Sequence, residues 1–270
     1  MARSTVPLTA LALAALLAAA PAHAGRSCEA RKPTPQLIER GMQLAQQTSA
    51  ALDAEHARSG TRVVVLGRAG QDLGKYGLRY SHLGWAYKTP EGPWRVVHKL
   101  NECGSAVGQL YRQGLGELFL DDLWRYEAVW AVPTPEVQQR LLPVLEDGAR
   151  ARALQHAPYS MVSYAWGRKY QQSNQWALET LALAMEPDSV RTRDQAQAWL
   201  QFKGYQPSVL KIGALTRLGG RMGSANIAFD DHPSEQRFAD RIETVTVDSV
   251  LAWLPRAQLA SKPVVFSVKY

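Results

Sequence analysis

The chain has 270 residues, 46% of them hydrophobic, and a formal net charge of +7. That length supports a sizeable core in one large domain, with or without an elaborated end. The cations are interspersed with acids rather than gathered in a block, which favours general attraction to anionic envelope polymers and argues against a dedicated nucleic-acid surface.

The N-terminus has the layout of a secretory signal: Arg3, an apolar run over residues 8–20, and the small-residue end Ala22-His23-Ala24. Cleavage is expected after Ala24, so that residues 1–24 are a signal peptide and residues 25–270 a single α+β domain, with residues 190–270 as a helical C-terminal extension. The leader is too short for a membrane span, and no later segment offers roughly 18 uninterrupted apolar residues. No integral membrane segment is expected after cleavage, and the expected location is periplasmic or secreted. Arg26 sits inside the box before Cys28 where a lipoprotein carries small residues. In an exported chain the two cysteines, Cys28 and Cys103, read first as a disulfide; free thiols, or a catalytic thiol at Cys103, are the alternatives.

In chain order, Thr34 as N-cap and Pro35 in the first turn announce a helix that ends near Ser59-Gly60. Residues 61–66 form a compact β-branched run, the composition of a buried strand. Residues 80–88 and 94–100 flank the turn-rich connector Thr89-Pro90-Glu91-Gly92-Pro93 and read as a β-hairpin. Each arm carries a histidine, His82 and His98, and the register decides whether they share a face, since a one-residue slip puts them on opposite sides.

The stretch from Cys103 to Leu110-Tyr111 reads as partly helical, residues 127–132 as a strand, and Thr134-Pro135-Glu136 as a helix start in which Pro143 later makes a kink or a break. Residues 159–170 are aromatic and irregular, as in the wall of a pocket. From Asn174 the periodicity predicts a largely apolar central helix stopped by Glu186-Pro187-Asp188. Beyond it come a helix over 194–202, another over 209–218, a break at Gly219-Gly220, a short strand at 226–229, a late strand at 243–247 and a short helix at 249–254.

The candidate site lies at Tyr170-Gln171-Gln172-Ser173-Asn174-Gln175-Trp176. Ser173 at a helix start has two meanings: an N-cap that accepts an orphan N–H, or a nucleophile that needs a base within reach and donors for the developing oxyanion. In the second reading His82 is the base, His98 orients it with Asn101 and Glu102 as substitutes, and the amides of Gln172 and Asn174 assist. Tyr170 and Trp166 are then candidates for the substrate-binding wall. Asp230-Asp231-His232 invites a metal, but adjacent residues on a turn point apart and no spaced ligand set supports one. Asp121-Asp122 is weaker still. No metal and no cofactor is expected.

At Tyr80-Ser81-His82-Leu83-Gly84-Trp85 and again at Tyr170 to Trp176 the chain resembles an uncharacterised exported bacterial family, domain of unknown function 2145, over nearly all of residues 25–270. In the order strand histidine, second-strand polar residue and helix-start nucleophile it is more distantly similar to circularly permuted papain-like hydrolases of the NlpC/P60 type. That similarity implies an antiparallel sheet packed on a central helix, with His82, His98 and Ser173 in the three catalytic places. It also implies a secreted hydrolase-like protein acting on amide or ester bonds, with a peptidoglycan peptide or another envelope component as partner. The family's nucleophile is Cys, whose thiolate forms readily beside a helix N-terminus. A Ser hydroxyl needs its proton removed during attack, so the alternative is a non-catalytic binding or assembly protein that uses the same groove.

Overall fold

A computed structural model describes residues 33–121 and 123–268. The predicted leader, Cys28 and Asp122 lie outside the described residues.

The first helix, α1 (Pro35–Ser59), begins as its sequence requires: Thr34 Oγ1 accepts the Leu37 amide, Pro35 fills the first turn, and Gly60 closes the end with a positive φ of 73°. It is followed by β1 (Val63–Ala69), β2 (His82–Lys88), β3 (Trp94–Asn101), β4 (Gly108–Gly114), the short α2 (Leu115–Phe119) and β5 (Arg125–Ala131). Then come α3 (Pro135–Glu146), α4 (Gly148–Arg152), α5 (Ser173–Met185), α6 (Arg193–Phe202), β6 (Ser208–Lys211), α7 (Ala214–Gly223), α8 (Ser234–Phe238), β7 (Arg241–Thr244), α9 (Val247–Arg256) and β8 (Val264–Ser267).

Among the described residues six strands form one sheet in the order β4-β3-β2-β1-β5-β8, with its neighbouring strands antiparallel. The central strand β1 is buried along its length and feeds two cores by simple alternation. Val63 and Val65 face a core shared with α3, α5, α6 and α9. Val64 and Leu66 face a second core under α1 and α2. Helix α5 is buried nearly all round, which explains why its sequence is apolar on every side rather than striped. A smaller unit, the β6-β7 ribbon with Phe229, has its own apolar cluster.

The fold is thus a mixed α+β arrangement on an antiparallel sheet. Several local expectations are corrected. Residues 108–114 are an edge strand, not a partial helix: they pair with β3 from Arg95↔Gly114 to Asn101↔Gly108, and only Leu110 of the segment packs on the main core, so no alternation advertised it. The expected helix over 209–218 is β6 followed by α7, and Gly219-Gly220 lie within α7, where Gly220 is the buried contact against Ile227. Residues 226–229 form no strand. Pro143 lies inside α3, which continues to Glu146. The C-terminal stretch is not simply helical, because β8 closes the main sheet beside β5.

The expected Cys28–Cys103 bridge involves Cys28, which lies outside the described residues. Cys103 sits in the turn after β3, and no cysteine among the described residues is free. No helix of the described residues is long and apolar enough to cross a membrane.

Candidate functional site

The hairpin register places the two histidines. Trp85 pairs with Val97 and Lys88 with Trp94, so His82 and His98 are diagonal neighbours on one face of the sheet. Their rings meet edge to face, with centroids 5.0 Å apart, and His82 Nε2 lies 2.8 Å from His98 Nδ1. On the far side His98 Nε2 lies 2.8 Å from Gln113 Oε1 of β4. This chain fixes tautomers. An amide oxygen accepts only, so His98 carries its proton on Nε2, its Nδ1 accepts, and the Nε2–H of His82 donates to it. The remaining nitrogen, His82 Nδ1, is then an unprotonated acceptor. Among the described residues it has no protein partner, it is not among the sealed polar atoms, and His82 lines a large cavity.

Both imidazoles are held neutral. Burial, then the Arg68 guanidinium, then His98 push His82 well below the ordinary histidine range. His98 is pushed down to about 4 by burial and by Arg68, against opposing effects of Gln113 and Asp121. Arg68 stands opposite His82 across β1 and β2 and is anchored to the Leu118 carbonyl and to Asp121.

Ser173 is the first residue of α5, and the cap is supplied by its neighbour: Gln172 Oε1 accepts the Asn174 amide at 3.0 Å. The capping duty that normally explains a helix-start serine therefore falls elsewhere, and the Ser173 hydroxyl instead lies 3.3 Å from the buried Tyr159 hydroxyl. The Ser173 backbone amide also turns to that phenol, although burial dominates and raises the Tyr159 pKa. Tyr159 was legible in the sequence only as pocket wall.

The expected amide helpers are committed to structure. Gln172 Nε2 donates to the Val245 carbonyl and to Thr244 Oγ1. Asn174 Oδ1 accepts the Leu83 amide at 3.1 Å, and its Nδ2 reaches the Val245 carbonyl at 3.3 Å. This clamp ties the start of α5 to the backbone next to His82.

Below the helix start lies a buried ionic network that the sequence did not announce. Glu179 accepts from Arg193 Nε at 2.8 Å, from Gln197 at 2.9 Å and from Gln171. Lys99 donates to Gln171 Oε1 at 2.9 Å and to the His156 carbonyl. Burial, then Arg193, bring Lys99 down to about 7.

One cavity of about 1140 Å³ joins these parts: His82, Arg68, Tyr159, Gln172, Ser173 and Asn174 all line it, with an otherwise mostly apolar wall. By strand alternation the imidazoles project to the α1/α2 face, whereas α5 packs on the opposite face. Both groups line the same cavity. No hydrogen bond joins Ser173 to His82. Tyr170 and Trp166 stand outside the lining: the Tyr170 carbonyl accepts Arg193, and Trp166 Nε1 donates to Glu243. Asn101 lines the cavity but does not touch either ring, so the orienting role rests with His98.

Among the described residues no group of three or more His, Cys, Asp or Glu side chains converges as a metal site. His232 Nε2 donates to the Val162 carbonyl at 2.7 Å, and Asp231 accepts the Tyr164 amide at 2.8 Å, so this pair staples loops.

No curated protein and no solved structure matches the chain. The similarity to papain-like hydrolases suggested by motif order finds no support in these comparisons. Residues 55–254 match the family model described as an uncharacterized protein conserved in bacteria, DUF2145, and the chain belongs to that family.

Proposed function

We propose that the chain is an acyl hydrolase that opens an amide or ester, in an envelope peptide if the N-terminal leader exports it. Ser173 is the nucleophile and His82 the base. The observation that carries this reading is the relay Gln113-His98-His82, which leaves one bare, neutral imidazole nitrogen open to the cavity that Ser173 also lines. In the reaction Ser173 Oγ bonds to the substrate carbonyl carbon as its proton passes to His82 Nδ1. The Ser173 amide and the Tyr159 hydroxyl are the groups beside the nucleophile that can donate to the oxyanion. His82 then gives the proton to the departing amine or alcohol as the bond to it breaks, and water releases the acyl group by the same steps in reverse.

A specific observation favours a second reading, ligand binding without cleavage: in the resting site the Ser173 hydroxyl is engaged by Tyr159 rather than by His82. The hydrolase needs substrate to draw Ser173 and His82 together in that cavity. The two readings separate on labelling by a fluorophosphonate probe, with mass-spectrometric mapping of the modified residue. The hydrolase predicts a label on Ser173 that is absent in Ser173→Ala and slowed at least about a hundredfold in His82→Gln, with ester and peptide turnover falling in parallel. An unlabelled Ser173 with no turnover leaves the binding protein.

A further inference from the structure

We infer that the outer face of α7 is a docking surface for an anionic lipid bilayer. This rests on surface chemistry alone and is independent of any reaction at Ser173.

Helix α7 turns its apolar stripe the wrong way for a globular protein. Its inner side, with Thr216, Gly220 and Gly223, lines the cavity, and Gly220 sits against Ile227. The opposite side presents Leu215 at 85%, Leu218 at 56% and Met222 at 81% exposure, spaced to fall on one face of the helix. The same unit exposes Phe238 at 78%, and Phe202 on α6 is 83% exposed. The three α7 side chains share one exposed face, and an apolar stripe of this kind marks an interaction surface rather than scatter.

Charge selects the partner. Between Asp194 and Asp230 the chain has no carboxylate but carries Lys203, Lys211, Arg217 and Arg221. Arg217 is neutralised by Asp240 at 2.7 Å, whereas Lys203, Lys211 and Arg221 face solvent, and Lys211 lies opposite exposed Arg241 in the β6-β7 pair. Nearby Asp230 is occupied by Lys169. An apolar helix face flanked by solvated cations is the signature of a helix that lies in the boundary of an anionic membrane, where the side chains enter the acyl region and the cations meet phosphate headgroups. Because the other side of α7 is cavity wall, docking sets the cavity at the lipid boundary.

The test uses the full chain and cosedimentation with vesicles of phosphatidylcholine alone or mixed with phosphatidylglycerol, at low and high salt. The wild type is compared with Leu215→Glu/Met222→Glu and with Lys211→Glu/Arg221→Glu, whose folding is checked by circular dichroism and urea midpoint. All forms share the same N-terminal segment, so the difference between them reads α7. The expected result is binding to the phosphatidylglycerol mixture that weakens with salt, falls about tenfold or more in the first variant and also falls in the second. Equal binding of wild type and variants overturns the proposal, as does wild-type binding that ignores lipid charge and salt. A wild type that ignores vesicles but self-associates through the face lost in Leu215→Glu/Met222→Glu overturns it in favour of a second copy of this chain.

Discussion

A Cβ placed on Gly84 would lie 2.8 Å from the Cβ of His98, closer than real side chains approach. The missing side chain on β2 is what lets the His98 ring lie across the hairpin and meet His82, two residues before Gly84. Gly84→Ala should therefore push His98 aside at an overpacking cost of about 1–3 kcal/mol, read as a lower urea midpoint. The His98 ring protons should change shift in NMR spectra as the contact with His82 is lost. A variant with unchanged stability and unchanged imidazole shifts would show that the hairpin is not as tight as described.

The imidazole pair makes stability depend on pH in a defined direction. His98 is depressed to about 4 in the folded chain, and His82 is depressed as well, both first by burial, against an unfolded value near about 6.5. Between those values the unfolded chain binds more protons, so this contribution is complete above about pH 6.5 and is lost as pH falls toward 4. Urea unfolding of wild type and His98→Asn at pH 7 and pH 4.5 checks it. The wild type should lose more stability than the variant over that interval.

Lys99 carries the same sign in a higher window. Its folded value is about 7, lowered chiefly by burial and then by Arg193, against an unfolded value near about 10.4. Stability should climb as pH rises from about 7 to about 10, because the unfolded chain alone keeps the proton there. Lys99→Met should flatten that slope in chemical denaturation at pH 7 and pH 9.5. An unaltered slope would assign the dependence to other groups.

Glu179 is the carboxylate on which the buried network closes, fully sequestered and bonded to Arg193, Gln171 and Gln197. Glu179→Gln leaves the Arg193 guanidinium without its counter-charge. The expected cost is roughly 3–5 kcal/mol, measured by equilibrium unfolding. The double change Glu179→Gln with Arg193→Met should recover part of it.

Gln172 should behave as a cap and a clamp together. Gln172→Ala removes the acceptor of the Asn174 amide and the tie to Val245, and cap loss alone costs about 0.5–2 kcal/mol. Ser173→Ala, by contrast, removes no cap; it takes only the hydroxyl partner of Tyr159 and should lower the unfolding midpoint less than Gln172→Ala does. A large loss in Ser173→Ala with none in Gln172→Ala would invert the assignment of the two residues.

What was legible locally follows from rules that act over a few residues. Thr34 and Pro35 start α1, Thr134 and Pro135 start α3, and Thr89 to Pro93 close the β2-β3 turn because each of these residues fixes its own backbone or a neighbour's amide. The apolar run after Asn174 identified α5 for the same reason. Gln172 as the cap is not legible in the sequence because glutamine seldom caps and a serine, a common cap, stands beside it. Strand β4 is not legible because an edge strand with one inward Leu110 has almost no hydrophobic pattern.

By itself, then, the sequence determined an antiparallel hairpin bearing two histidines and a helix beginning at a polar cluster, since short-range sterics and capping are written in adjacent residues. It could not determine which face the histidines share, which of two neighbours caps α5, or that Lys99 and Glu179 are interior. The tertiary structure decided those, because a strand register is set by a partner strand and a buried charge is tolerated only where distant groups, here Arg193 and Gln171, close around it.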